Sequence, residues 1–281
     1  MKARALLQVL REELSKVDPV GAEIEAWVLL STITGLSKTQ LMMQPDQVVT
    51  ESQIDTVKAA IAQRQAQRPL AYILGEAEFM GRRYAVSEDV LIPRPETEIL
   101  VEAARDWVRQ KGVDTSDLCI LECGLGSGII SIEMALAFPE ATVHAWDVSE
   151  PALALARQNI QSHGVSVRPH HGDFFAAEAQ WAGLIKTHKH TLLLSNPPYI
   201  HPEDWAHLDA SVRDYEPKVA LVADNEGHDF YERFLEIHSR YSVPAIVELG
   251  YKQWAYLLDR VPPSSRVIKD YQGIDRVLVL E

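Results

Sequence analysis

Apolar residues recur at helical spacing through the first 68 residues of the chain. In the first segment they occupy positions 3, 6, 7, 10, 14 and 17, which predicts an amphipathic helix. A second helix is expected from Pro19 to Gly35, with four residues facing inward: Ile24, Trp27, Val28 and Leu30. Ser37 is a candidate cap for a short helix, and residues 51–67 favour a longer one. We therefore expect residues 1–68 to form a helical bundle that holds a partner or covers a site.

Residues 69–93 have a different pattern. Gly75 and Gly81 separate aromatic and β-branched runs, which is typical of a β-hairpin. We expect this segment to be a hairpin linker. A helix is expected after it, from Glu96 to Gln110.

From residue 118 onward, predicted strands alternate with predicted helices. The strands are expected at 118–122, 142–147, 165–171, 191–195 and 245–249, with two more near 265–270 and 276–280. The helices between them are expected at 129–137, 150–163 and 252–261. Such alternation predicts βαβ units and a mainly parallel sheet, so residues 94–281 are expected to form one α/β domain. The last two strands, joined by a short turn, predict an antiparallel pair at one edge.

Composition and charge narrow the class of protein. The 281 residues are 47% hydrophobic and 24% charged, which is typical of an ordinary globular protein. The whole formal charge of −13 falls on residues 76–281, because residues 1–75 carry 8 basic and 8 acidic side chains. This sign disfavours extended nucleic-acid binding. The sequence has neither a membrane-length apolar stretch nor a signal core, and Cys119 and Cys123 cannot form a disulfide framework, so a reduced, cytoplasmic protein is expected.

A glycine-rich turn follows the first predicted strand of the α/β domain. Glu122 precedes Gly124, Gly126 and Gly128, and a helix is expected directly afterwards. Glycines at a strand-to-helix turn permit positive φ and let a ligand approach the backbone. A tight turn without a ligand is the alternative. The spacing differs from the dinucleotide pattern because residue 129 is isoleucine.

Asp147 ends the next predicted strand. A carboxylate at that place can accept two hydrogen bonds from a ribose diol. The alternative is that Asp147 caps the following helix, for which Ser149 is an equally good candidate. The glycine turn and Asp147 together favour a nucleoside ligand.

The segment Ser195–Tyr199, Ser-Asn-Pro-Pro-Tyr, follows an apolar strand. Two consecutive prolines fix φ and remove two backbone donors, so the carbonyl groups there act as rigid acceptors. Asn196 offers a side-chain carbonyl, Pro197 a backbone carbonyl and Tyr199 a flat aromatic face. This set suits a planar NH2 group. A proline-rich turn that only ends the strand is the alternative.

Together with the glycine turn and Asp147, the Asn-Pro-Pro-Tyr segment resembles S-adenosylmethionine-dependent amino methyltransferases. Those enzymes methylate the exocyclic amine of adenine or cytosine, or the side-chain amide of glutamine. Further stretches are similar to the protein-(glutamine N5) methyltransferases of the HemK/PrmC type: residues 68–79, 91–102, 216–231, 248–253 and 270–277. The resemblance covers residues 68–281, and the helical N-terminus agrees in placement only.

The resemblance implies an architecture, a cofactor and a partner. The architecture is an N-terminal bundle for substrate recognition, a β-hairpin, and a seven-stranded class I methyltransferase domain. The cofactor is S-adenosyl-L-methionine, which leaves as S-adenosyl-L-homocysteine, with no metal. The partner is a class 1 peptide chain release factor, methylated on the glutamine of its Gly-Gly-Gln loop, with neither a membrane nor extended nucleic acid involved.

The resemblance also assigns roles to particular residues. The methionine part of the cofactor is expected at Glu122 and at the turn formed by Gly124, Leu125, Gly126, Ser127 and Gly128. Asp147 is expected to bind the ribose hydroxyls, with Asp173 near the adenine amino group and Phe174 packing on the adenine unless it is only a core aromatic. Val148 and Asn196 are also expected to contact the cofactor. The substrate amide is expected at Asn196, Pro197, Pro198 and Tyr199. Arg94 is expected to guide the substrate or to order a lid over the site, the alternative being that its segment only starts a helix. The family more often has Asp at position 122 and Thr at position 125, so cofactor affinity is expected to differ.

Three other functions were weighed against this one. A DNA adenine N6-methyltransferase shares the Asn-Pro-Pro-Tyr segment. Such an enzyme must hold a DNA duplex, which the negative net charge of this protein disfavours. A non-catalytic S-adenosylmethionine-binding protein has no use for an amine-shaped set of acceptors. A nicotinamide-dependent oxidoreductase is disfavoured by the glycine spacing.

Overall fold

The structure, a computed structural model, describes residues 1–223 and 227–281. These residues divide into two units, one of residues 1–76 with 209–215 and the other of residues 77–208 with 216–281. The helices are α1 Ala3–Leu14, α2 Ala22–Thr34, α3 Lys38–Met43, α4 Glu51–Gln65, α5 Leu70–Leu74, α6 Pro95–Gln110, α7 Ile129–Ala137, α8 Glu150–His163, α9 Glu178–Thr187, α10 Ala210–Arg213, α11 Asp229–Tyr241 and α12 Gln253–Leu257. The strands are β1 Glu76–Phe79, β2 Arg82–Ala85, β3 Leu118–Cys123, β4 Thr142–Asp147, β5 Arg168–His171, β6 His190–Ser195, β7 Ala245–Glu248, β8 Arg266–Lys269 and β9 Asp275–Leu280.

The first unit is the helical bundle that the N-terminal pattern predicts. Ser37 caps α3 in a reciprocal capping box, as expected. The second helix differs from the prediction because Asp18 accepts hydrogen bonds from the N–H groups of Val20 and Gly21 and delays the start of α2 to Ala22. Of the residues expected to face inward, Ile24 is 70% exposed and Val28 is 38% exposed.

The segment expected to be a linker is divided between the two units. Its first part forms the helix α5 rather than a strand, and this helix lies within the first unit. The hairpin is β1 and β2 alone, and it packs into the second unit. The Tyr84 hydroxyl donates to Glu133 Oε1 at 2.6 Å, and the Ala85 N–H donates to Asn159 Oδ1 at 2.8 Å. Because Phe79 and Tyr84 are fully buried there, the hairpin is part of the larger unit's core.

The second unit is built on a seven-stranded sheet of order β5-β4-β3-β6-β7-β9-β8. Strands β3 to β7 pair in parallel, whereas β9 is antiparallel to both of its neighbours. The predicted fold class and the antiparallel terminal pair are therefore confirmed. The strand expected from Val165 is shorter than predicted, because only Arg168–His171 pair with β4.

Helices cover both faces of this sheet. One face packs against α6, α7 and α8, and the other packs against α9, α11 and α12. The central strand β3 is buried along its whole length, which explains its continuous apolar sequence. Helices α9 and α11 had no counterpart among the predicted elements. Within the described residues, no helix has the length and apolarity that crossing a membrane requires.

Candidate active site

A cavity of about 460 Å³ opens in the second unit where the parallel strands end. Four neighbouring strands contribute their carboxyl ends to this region, in the order β5, β4, β3 and β6. From β3 the chain continues to β4 on one side and later returns to β6 on the other side, so the strand order reverses at β3. Open α/β sheets bind ligands at such a reversal. The Ser195 hydroxyl ties two of these ends together by donating to the Cys123 carbonyl at 2.7 Å.

Most of the predicted site residues line this cavity. They are Arg94, Glu122, Gly124, Leu125, Gly126, Ser127, Asp147, Val148, Asp173, Phe174, Asn196 and Pro198. The described residues that form its wall do not include Gly128, Pro197 or Tyr199. The structure thus brings together residues from three separate motifs and leaves three of the expected contacts outside the wall.

The glycine turn is held by its own backbone bonds. The N–H groups of Gly124 and Leu125 both donate to the Trp146 carbonyl, at 2.9 and 3.0 Å. The Gly128 N–H donates to the Leu125 carbonyl at 2.8 Å. These donors are therefore used inside the protein, so the turn approaches the cavity through its Cα face.

Two of the glycines in this turn serve different purposes. Gly126 has a φ of +53°, and a Cβ added there would meet nothing within 4 Å, so it lies against open space beside the cavity. At Gly128, where φ is +86°, an added Cβ would lie 3.2 Å from Ile132 Cδ1 and 3.5 Å from Ala156 Cβ. Gly128 is thus needed for the packing of α7 against α8, and not for ligand contact.

Glu122 is a buried acid at the inner wall of the cavity. Its Oε2 accepts hydrogen bonds from the N–H of Ser131, at 3.0 Å, and from the Ser131 hydroxyl. Its Oε1 is buried and has no hydrogen-bond partner among the described residues. Burial raises the pKa of this carboxyl to about 8. A cationic ligand group in the cavity would satisfy the orphaned oxygen.

Asp147 fastens the glycine turn as well as lining the cavity. Its Oδ2 accepts from the Gly126 N–H at 2.8 Å, and its Oδ1 accepts from the Ser149 N–H at 2.9 Å. The Ser149 hydroxyl accepts a hydrogen bond from the Ala152 N–H, so Ser149, and not Asp147, is the N-cap of α8. Each carboxylate oxygen of Asp147 retains a lone pair for a ligand hydroxyl.

Phe174 belongs to an aromatic cluster under one end of the cavity. Its ring is stacked on Trp181 with 5.4 Å between centroids and meets Trp146 edge to face at 5.4 Å. Phe174 is 3% exposed, so it is a core aromatic that also contributes to the cavity wall. Asp173 lies beside it, with Oδ1 accepting from the Phe175 N–H at 2.9 Å.

Asn196 is held from behind by two buried residues. Its Nδ2 donates to Thr97 Oγ1 at 3.2 Å, and the Thr97 hydroxyl donates to Glu248 Oε2 at 2.7 Å. Thr97 and Glu248 are each 1% exposed. This contact fixes the Asn196 amide at the rim where the cavity meets the two prolines.

Tyr199 is fixed by residues that follow β7. Gln253 Nε2 donates to the Tyr199 carbonyl at 2.9 Å. A Cβ added at Gly250 would lie 2.6 Å from Tyr199 Cδ2, so the ring packs directly on this glycine. Burial raises the pKa of the Tyr199 phenol, which keeps it protonated.

Arg94 is paired inside the protein. Its Nη2 donates to Glu216 Oε1, and Glu216 Oε2 accepts from the Ile92 N–H at 3.3 Å. The Glu216 side chain is 1% exposed, so the guanidinium neutralises a buried charge. This pair holds together the two segments, residues 89–94 and 219–222, that form one wall of the cavity.

Several cavity residues had no place in the sequence prediction. Asp229, Phe230 and Arg233, on the first turns of α11, line the cavity, and the Arg233 guanidinium lies over the Phe175 ring at 4.3 Å. The helical spacing of apolar residues in 229–241 was the available signal for this wall. Glu248 could have been predicted from the same reasoning as Asp147, because it also ends a strand.

Two family models match the chain. Residues 5–75 match the PrmC N-terminal domain, and residues 120–208 match a methyltransferase domain. The two matches fall on the helical unit and on the part of the sheet that carries the glycine turn, Asp147 and Asn196.

Curated relatives match over most of their length. A release factor glutamine methyltransferase from Enterococcus faecalis is 36% identical over 88% of this chain and 88% of the relative. One from Bacillus subtilis is 32% identical over 98% and 97%. The chain belongs to the release factor glutamine methyltransferase family. One from Chlorobaculum tepidum, 42% identical over 74% of this chain and 71% of the relative, supports the same assignment. The expected methyltransferase activity and family are confirmed, and a cofactor of the S-adenosylmethionine type is supported.

Solved structures agree in fold. The human METTL16 N-terminal domain in complex with SAH aligns with a TM-score of 0.50 over 97% of this chain and 94% of that chain, at 11% identity. The hMettl16 catalytic domain in complex with an RNA hairpin aligns with a TM-score of 0.52 over 97% and 91%, at 12% identity. At such identities the likeness shows the fold alone.

Proposed function

We propose that this enzyme transfers a methyl group from S-adenosylmethionine to the side-chain nitrogen of the glutamine in the Gly-Gly-Gln loop of class 1 release factors. The observation that carries the proposal is the Asn196 amide, held at the cavity rim beside Pro197 and Pro198. The helical unit, which matches the PrmC N-terminal domain over residues 5–75, would recognise the release factor in the cytoplasm.

The cavity fits the cofactor at both of its ends. The orphaned Oε1 of Glu122 suits the cationic amino group of the methionine part. Asp147 has acceptors left for the ribose hydroxyls, and Asp173 with Phe174 would hold the adenine. When bound, S-adenosylmethionine supplies a methyl group on a sulfonium sulfur, an electrophile that needs no activation by the protein.

The task of the protein residues is then to position a weak nucleophile. An amide nitrogen has its lone pair delocalised into the carbonyl group. Asn196 Oδ1 and the Pro197 carbonyl would accept its two hydrogens and align the lone pair with the methyl carbon. As the nitrogen gains positive character, these hydrogen bonds strengthen, so they stabilise the transition state more than the ground state. The N–CH3 bond would form as the S–CH3 bond breaks, leaving the thioether of S-adenosylhomocysteine, and the extra proton on nitrogen would pass to water afterwards. Tyr199, held by Gly250 and Gln253, would stack on the amide plane.

The experiment that tests this proposal compares two kinds of acceptor. Purified enzyme and tritiated S-adenosylmethionine are incubated with a class 1 release factor and, separately, with adenine-containing duplex DNA. We expect label in the release factor only. The Asn196→Ala variant should lose about 100-fold in kcat, since it removes an acceptor used in the transition state.

Transfer of label to DNA but not to the release factor would overturn the proposal and favour the adenine methyltransferase alternative. Full activity of the Asn196→Ala variant on the release factor would contradict the assigned site while leaving the substrate in place.

A further inference from the structure

A chain of three side chains lies behind the proline turn, and each comes from a different part of the fold. Asn196 follows β6, Thr97 lies in the first turn of α6, and Glu248 is the last residue of β7. Asn196 and Thr97 are 99 residues apart in sequence, and Thr97 and Glu248 are 151 apart. Two hydrogen bonds join the three residues.

The direction of these hydrogen bonds is determined by the single proton of the Thr97 hydroxyl. That proton is donated to Glu248 Oε2 at 2.7 Å, so Thr97 Oγ1 faces Asn196 with a lone pair. A lone pair can be met only by a donor, which here is the Asn196 NH2 group at 3.2 Å. The Asn196 carbonyl oxygen is therefore turned away from Thr97.

The opposite orientation of the amide is disfavoured at this place. Rotating the Asn196 side chain would put Oδ1 against the lone pair of Thr97 Oγ1. Two acceptors would then face each other without a donor between them, one of them on the buried Thr97, which costs free energy. It would also present the NH2 group, a donor, to a substrate amide that needs acceptors.

We propose that Thr97 and Glu248 are positioning residues that hold the Asn196 amide with its oxygen toward the substrate. The inference rests on the proposed function, because only an amine- or amide-bearing substrate needs an acceptor at this point. Neither residue needs to touch the reacting atoms, and both act through Asn196.

The charge on Glu248 sets the direction of the two hydrogen bonds that join Asn196, Thr97 and Glu248. As a carboxylate it only accepts, whereas a protonated carboxyl can donate to Thr97 and free the Thr97 proton for Asn196 Oδ1. Burial raises the pKa of Glu248 to about 7, with nearby arginines lowering it and a nearby acid raising it. The titratable and charged groups that face it are Glu96, Arg94, Arg276, Tyr199 and Tyr231. The aligned arrangement is therefore lost as the pH falls below about 7.

The first readout does not depend on activity. The sequence contains only three asparagines, Asn159, Asn196 and Asn225, so selective ¹⁵N-asparagine labelling gives three side-chain amide signals. The Asn159 amide donates to the carbonyls of Ala85 and Ser127 and serves as an internal reference. The Asn196 pair is assigned by its loss in Asn196→Ala.

Thr97→Val removes the hydroxyl at nearly constant shape, and Thr97→Ser keeps it. In Thr97→Val we expect the Asn196 amide signals to shift and their exchange with water to speed up about tenfold or more, with the Asn159 pair unchanged. Thr97→Ser should give the wild-type signals. Unchanged Asn196 signals in Thr97→Val would overturn the proposal, and this arm decides it even if the enzyme proves inactive on release factors.

The second readout is kinetic. Thr97→Val should lose about 10- to 100-fold in kcat on the release factor, with S-adenosylhomocysteine affinity within about twofold, and Thr97→Ser should recover most of the loss. In the Asn196→Ala background, Thr97→Val should cost less than about threefold more, because both changes remove one unit. If the two substitutions lowered kcat by independent factors that multiply in the double variant, this would contradict the inference that Thr97 acts through Asn196.

If Thr97→Val does not fold, its Asn159 reference signals will be lost. Glu248→Gln then provides the test. Wild-type kcat should fall about tenfold per pH unit below about pH 7, and Glu248→Gln should have a lower kcat without this acidic limb. A Glu248→Gln profile identical to that of the wild type would overturn the role of Glu248.

Discussion

Replacing Glu122 by glutamine should make the protein more stable and its cofactor site weaker. Burial raises the pKa of the Glu122 carboxyl from 4.5 to about 8, against two hydrogen bonds from Ser131 that lower it. The folded protein therefore keeps a proton that the unfolded chain loses above pH 4.5. Stability from this group is complete below that pH and is lost progressively as the pH rises through about 8.

The magnitude follows from the same values. The full difference between the folded and unfolded pKa of Glu122 corresponds to about 5 kcal/mol of unfolding free energy. About 2–3 kcal/mol of this stability is lost between about pH 6 and pH 8.5. Glu122→Gln keeps an acceptor for Ser131 and cannot ionise. Its free energy of unfolding relative to the wild type should thus rise by about 2–3 kcal/mol between these two pH values.

Urea unfolding at both pH values measures this difference, with Glu102→Gln on the exposed side of α6 as the matched control. Calorimetry with S-adenosylhomocysteine supplies the second arm. At pH 7, binding of S-adenosylhomocysteine to the wild type should release about 0.9 proton, because the cationic amino group of the ligand favours the Glu122 carboxylate. The released proton is measured by comparing the heat of binding in two buffers. Glu122→Gln should release none and bind about 10- to 100-fold more weakly. A stability difference that does not change with pH would refute the reasoning.

Two further substitutions test how the cavity wall is held. Gly250→Ala places a Cβ 2.6 Å from Tyr199 Cδ2, so we expect a loss of about 1–3 kcal/mol in unfolding free energy and a lower kcat. The control Gly183→Ala, inside α9 and with nothing within 4 Å of its added Cβ, should leave kcat unchanged and lose no stability, because alanine is favoured over glycine in a helix. Arg94→Ala leaves the buried Glu216 carboxylate without its cationic partner, and because the Arg94 side chain is 33% exposed we expect about 2 kcal/mol of destabilisation by urea unfolding. An Arg94→Ala variant with wild-type stability and only a raised KM for the release factor would instead support the substrate-guiding role.

The sequence predicted the central part of the fold well because that part follows local rules. Strand β3 is buried on both faces and therefore reads as an apolar run, and Gly128 marks the start of α7. Helices α9 and α11 were missed, although the apolar spacing in 229–241 is helical. Val165 was wrongly placed in a strand, because pairing with β4 begins only at Arg168.

For the candidate site, the sequence located most of the residues that line the cavity but not the residues that hold them. The glycine turn, Asp147 and Asn196 each lie at a strand end, so one topological rule groups them. Pairs such as Arg94 with Glu216, 122 residues apart, or Asn196 with Thr97, 99 apart, arise only from the tertiary fold and leave no local pattern. For this reason Glu216 could not be predicted as the partner of Arg94, and the substrate-guiding role of Arg94 stays a prediction.

The most direct test of the central claim is to locate the transferred methyl group. A class 1 release factor is incubated with the enzyme and S-adenosylmethionine, digested and analysed by tandem mass spectrometry. We expect a gain of about 14 Da on the glutamine of the Gly-Gly-Gln loop, at a rate about 100-fold lower with Asn196→Ala. A methyl group on any other residue, or an unmodified release factor in the presence of enzyme that binds the cofactor, would contradict it.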